Sequence, residues 1–115
     1  MDRFVIDNFW DEPRSSVGEE FSSFTAKLKT RIVKRIEIFE RKTVSQLFAE
    51  KQLEKVKGVS VEMYELRIRI TPPVRILGTL KKNHYKPFHI FLKKEERIRS
   101  KYLQTATERI KRYYT

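Results

Sequence analysis

The sequence predicts a single α+β domain: a strand, a helical pair, a three-stranded antiparallel meander and a closing helix. Three observations carry that expectation. Apolar residues recur every three to four positions between Phe21 and Phe39, and again between Ile98 and Tyr113, the period of a half-buried helix. From Val61 to Leu92 the period falls to two, as in strands with one buried face. The 115 residues suffice for one modest core and leave no room for a second.

Each element has its own signal. Residues 3–10 (RFVIDNFW) are rich in β-formers and predict a first strand, broken by Asp11-Glu12-Pro13-Arg14. Ser16 with Glu19 makes a capping box, and Phe21, Phe24, Leu28, Ile32, Ile36 and Phe39 then form one stripe on a long amphipathic helix. Thr43 and Gln46 form a second capping box. Val44, Leu47, Phe48, Leu53 and Val56 extend a shorter helix that Gly58 stops, giving an antiparallel helical hairpin. In the next strand Tyr64, Leu66, Ile68 and Ile70 alternate with Met63, Glu65, Arg67 and Arg69. After the Thr71-Pro72-Pro73 turn, Val74, Ile76, Gly78 and Leu80 alternate with Arg75, Leu77 and Thr79. Lys81-Lys82-Asn83-His84 is a polar hairpin loop, residues 85–92 are the third meander strand, and Ile98, Tyr102, Ala106, Ile110 and Tyr113 mark the last helix. The helices are expected on the apolar face of the sheet, leaving the basic face open.

Composition narrows the function. The formal charge is +11 and uneven: residues 1–20 carry two basic side chains against six acidic, while residues 63–115 carry fourteen against four. Such a field favours polyanions. With no cysteine there is neither a disulfide framework nor a thiolate zinc site, and no apolar run is long enough to span a bilayer. The cytoplasm is the expected location, with no membrane partner. Phosphate-loop, zinc-protease and serine-hydrolase signatures are missing, and two histidines are too few for a histidine metal site. No cofactor or metal is expected.

What remains is a set of cations on neighbouring strands: Arg67 and Arg69, then Arg75, then Lys93 and Lys94, followed by Arg97, Arg99 and Lys101. Paired as a meander, they surround one concave patch. An RNA backbone can be cleaved without metal when its 2′-OH attacks the adjacent phosphate. The reaction needs cations on the phosphorane, a base and an acid. Arginines can supply the first, and a lysine, histidine or tyrosine the others.

Met63-Tyr64-Glu65-Leu66-Arg67-Ile68, Val74-Arg75-Ile76-Leu77, His89-Ile90-Phe91-Leu92-Lys93-Lys94 and Ala106-Thr107-Glu108-Arg109, in that order, resemble the signature blocks of the RelE/ParE toxin superfamily. The likeness is to its HigB-like branch of type II toxin–antitoxin systems and covers nearly the whole chain. It implies a RelE-like fold and an mRNA interferase acting in the ribosomal A site, silenced by a cognate antitoxin, usually of helix-turn-helix type. Carried over by position, Arg67, Arg75 and Lys94 match the family's basic active-site residues. His89 precedes the Phe-x-Lys-Lys block where histidine is common, and Tyr102 stands in for a catalytic tyrosine. Arg69 matches a further basic position, and Lys93, Arg97, Arg99 and Lys101 are candidate RNA contacts. Arg99 stands where many members carry proline, so the start of the last helix departs from the pattern. The rival readings are a ParE-like toxin acting on DNA gyrase and a non-catalytic nucleic-acid-binding homologue.

Overall fold

In the computed structural model, which describes residues 2–115, the chain runs β1 (Val5–Ile6), α1 (Ser16–Ser22), α2 (Ala26–Phe39), α3 (Val44–Ala49), β2 (Leu53–Lys55), β3 (Tyr64–Ile68), β4 (Val74–Lys81), β5 (His84–Leu92) and α4 (Ser100–Tyr114). One sheet forms in the order β1-β5-β4-β3-β2; β1 joins β5 in parallel and the other pairs are antiparallel. The α+β class is as expected, and the meander is in place. The first strand pairs over only two residues, Val5 with His84 and Ile6 with Tyr85. The edge it leaves is short and partly covered, since Ile6 N donates to Glu40 Oε2 at 3.2 Å.

The helical hairpin needs correction. Phe21, Leu28, Ile32, Ile36 and Phe39 are buried, but they do not share one helix. The chain breaks at residues 23–25, where extended Thr25 accepts Leu28 N on its hydroxyl at 3.2 Å and caps a new helix. Likewise α1 is capped by Ser15, whose Oγ accepts Gly18 N at 2.9 Å, in place of the expected Ser16 box. Gly18 itself is required by close packing, because a Cβ there would lie 1.8 Å from the Glu12 carbonyl oxygen.

The Thr43–Gln46 box forms with both of its hydrogen bonds. Its helix stops at Ala49, short of Gly58, and Lys51 turns the chain with φ 58°. Leu53, Glu54 and Lys55 then pair with Leu66, Glu65 and Tyr64. The residues expected to finish a helix make a fifth strand instead, and Leu53 is buried by that pairing.

The sheet has two unlike faces. On one, Leu66, Ile68, Val74, Ile76 and Ile90 share a core with Ile32, Ile36 and Phe39 of α2 and Leu47 of α3. Each such side chain contributes about 1.5–3 kcal/mol by leaving water. The other face, expected to be open, is partly covered. Met63, Leu77, Phe88 and Phe91 pack with Ala106 and Ile110 of α4 in a second core. The β4–β5 ladder shifts at Leu77/Gly78, where Gly78 pairs with Pro87 and a Cβ on it would meet Lys86 O at 2.2 Å. This irregularity seats a proline that cannot donate to the ladder. Among the described residues no helix is long and apolar enough to cross a membrane.

Candidate functional site

Strand register builds the site on the α4-covered face. Arg67 of β3 pairs with Arg75 of β4, which pairs with Phe91 of β5, making one cross-strand row. Two residues along, about 6.6 Å, Glu54 of β2, Glu65, Leu77 and His89 make the next. Acids therefore stand diagonally beside arginines. Two arginines directly opposite would repel, and the neighbouring row relieves this.

The relief is uneven. Arg67 Nε donates to Glu65 Oε1 at 3.0 Å, Nη2 to Glu54 Oε2 at 3.0 Å and Nη1 to Lys51 O at 3.1 Å. Burial pulls its basicity down, but the two carboxylates more than restore it, and its pKa is raised. Arg75 is more deeply buried, 8% exposed, and its Nη1 donates to Val74 O at 3.1 Å. Its Nε lies 3.3 Å from Glu65 Oε2, close enough for an ion pair but unaligned for a hydrogen bond. Among the described residues it is the one buried side-chain polar atom left without a hydrogen-bond partner. Burial lowers the Arg75 pKa and the charges of Arg67 and Arg69 lower it further, while Glu65 offsets only part. A guanidinium in that state gains from an added anion.

Beyond Phe91 the face turns aromatic. The Tyr102 ring of α4 stacks on Phe91 at 4.1 Å between centroids, His89 lies 5.5 Å from Tyr102, and Lys101 Nζ sits 5.2 Å from the Tyr102 ring. His89 is buried, and its Nδ1 is 2.7 Å from Glu20 Oε2 of α1. Arg109 of α4 grips the same carboxylate, Nη1 to Oε1 and Nη2 to Oε2, each 3.1 Å. Arg109 Nη1 also donates to Phe88 O at 2.8 Å, and Ile90 N donates to Glu20 Oε1 at 3.2 Å. Burial pushes the Glu20 carboxyl up, but the hydrogen bonds from His89, Arg109 and Ile90 outweigh it and hold the group below its ordinary 4.5.

The structure thus brings Arg67, Arg75, His89 and Tyr102 onto one face. Arg69 is exposed just past β3, its Nη2 donating to Lys51 O at 3.0 Å. Lys93 continues β5 through a bond from its N–H to Pro73 O at 2.9 Å, and Lys94 follows, exposed. Arg97 and Arg99 lie before α4, exposed, with Arg99 Nε donating to Glu95 Oε1 at 2.9 Å. Such an exposed pair holds the side chain only weakly. A cavity of about 710 Å³ lies between the N-terminal segment and the end of α4, lined by Phe9, Val17, Lys86, Phe88, Arg112 and Tyr113 among others. A smaller one of about 210 Å³ lies near Thr79 and Tyr114. Arg67, Arg75, His89 and Lys94 line neither of these two.

Glu20, Glu54 and Glu65 complete these clusters. Glu20 stands 69 positions before His89 in the chain, and no local spacing points to it. The chain matches no protein-family model and no curated protein sequence.

Proposed function

We propose that this chain is a RelE/ParE-type toxin of the HigB-like branch, a ribosome-dependent endoribonuclease that cleaves mRNA. The 2′-oxygen bonds to the adjacent phosphorus, the P–O5′ bond breaks, and the products are a 2′,3′-cyclic phosphate and a 5′-OH. The 2′-OH proton leaves to a base, and the departing 5′-oxygen takes one from an acid. Arg75 and Lys94 stabilise the phosphorane, His89 transfers a proton, and Tyr102 with Phe91 offers a ring face to a base. Arg67 holds Glu65 and Glu54 and reaches phosphate by releasing one of them. Arg69, Lys93, Arg97, Arg99 and Lys101 track the RNA backbone.

One observation carries this reading: the buried guanidinium of Arg75, whose Nε faces Glu65 without an aligned hydrogen bond, on the same face as His89 and the Tyr102–Phe91 stack. Glu65 offsets only part of what burial and the neighbouring arginines cost this guanidinium, so an anion reaching its other N–H groups would be stabilised there.

Inducible expression tests the proposal. Growth should stop, and an antitoxin, of helix-turn-helix type in this branch, supplied from an adjacent reading frame should restore it by forming a complex. Arg75→Ala and Lys94→Ala should permit growth while remaining folded. Arrest that persists in both variants, with inhibited supercoiling, would move the target to gyrase; harmless expression would leave a binding module.

A further inference from the structure

We infer that Glu20 and Arg109 are positioning residues for His89, and that together they fix the imidazole as its Nδ1–H tautomer with Nε2 free to accept a proton. The inference rests on the RNA-cleavage reading for its catalytic meaning, but its structural half stands apart from it. An ionised carboxylate only accepts hydrogen bonds. The 2.7 Å contact between His89 Nδ1 and Glu20 Oε2 therefore requires the ring proton on Nδ1. A neutral imidazole carries one N–H, so Nε2 is left as the lone-pair nitrogen.

The carboxylate is itself held from three sides. Arg109 binds it as a fork through both Nη atoms, each 3.1 Å from its oxygen, and the Ile90 amide donates to Oε1 at 3.2 Å. These contacts tie α1 and α4 to β5 and prevent the carboxylate from rotating away. The arginine gives the acid a second positive partner, so Glu20 orients the ring and does not take its proton. Arg109 Nη1 lies 3.5 Å from His89 Nδ1. Two donors face each other there, and the contact is tolerable because Glu20 lies within reach of both.

The geometry also says what Glu20→Gln does. Oε1 accepts from both Arg109 and Ile90, so the amide oxygen of a glutamine takes that place. Its NH2 then takes the place of Oε2, gives up the contact with Arg109 Nη2, and faces His89 Nδ1, asking that nitrogen to accept. The ring proton moves to Nε2 without loss of side-chain volume, the wrong tautomer for a base acting through Nε2.

Nitrogen-15 NMR of the His89 ring in the full-length protein reads the tautomer directly. The neutral wild-type ring should show Nδ1–H, and Glu20→Gln should show Nε2–H with the amide fingerprint otherwise kept. A wild-type ring protonated at Nε2 overturns the inference whether or not the variant folds. In parallel, mRNA cleavage by Glu20→Gln should fall by about 10²-fold or more, the scale of a lost proton-transfer residue, with KM little changed. A switched tautomer with undiminished kcat overturns the catalytic half. No cleavage even by the wild type overturns the RNA-cleavage reading and leaves the tautomer result intact.

Discussion

The two faces of the sheet are built from the same strands and obey different rules. The face toward α2 and α3 is apolar throughout, with Leu66, Ile68, Val74 and Ile76 fully buried. The face toward α4 mixes Met63, Leu77 and Phe91 with Glu65, Arg75 and His89, all buried to a similar degree. Buried charge costs stability unless it is paired and hydrogen-bonded. The first face holds the fold together. The second spends part of that stability on a fixed arrangement of charges.

Breaking each face separates these roles. The largest loss is expected from Phe39→Ala, which empties a fully buried site of the apolar core. It should cost about 3–5 kcal/mol in chemical unfolding, while any folded fraction still binds RNA. Next comes Glu65→Ala, which leaves Arg75 and Arg67 opposite each other with their shared carboxylate gone. About 3 kcal/mol should be lost, and replacing Glu65 by Leu together with Arg75 by Met should recover much of it. The double variant should remain inactive, because it lacks Arg75, the group proposed to meet phosphate.

Acid sharpens the comparison at the α1 edge. A carboxyl held below its ordinary value stabilises the folded chain above that value, and the contribution is lost as pH falls through the depressed one. For Glu20 the loss should set in below 4.5. Thermal unfolding followed from pH 6 downward should show Glu20→Gln starting less stable and losing less. The smallest effect on stability belongs to exposed Lys94. Its removal should leave stability unchanged and lower the salt dependence of single-stranded RNA binding by about 0.7 in the log–log slope.

The two faces also differed in how much could be read from sequence. The strict alternation of β3 and β4 placed Leu66, Ile68, Val74 and Ile76 on one side and Arg67 and Arg75 on the other, because period two leaves no choice. Helix continuity was harder. Phe24 keeps the three-and-four spacing across a break that Thr25 caps, so the stripe is real while the single helix is not. Leu53 and Val56 likewise extend the stripe of α3, and the left-handed residue that ends it is Lys51, with no glycine to announce it. The arginine row was visible since it is local to two adjacent strands. Its electrostatic state was not, because Glu54 enters from a strand the sequence did not reveal. In the sequence Glu20 is one of six acids within residues 1–20; its contact with His89 exists only once α1 has packed against β5.

The most direct test is the chemistry of mRNA ends made on translating ribosomes. With purified chain present, the account predicts cuts in ribosome-bound message that leave 2′,3′-cyclic phosphate and 5′-OH ends. Cleavage should be lost in Arg75→Ala and His89→Ala variants whose folds are intact. Undamaged message with the wild-type chain, or cuts that persist in both variants, would contradict it.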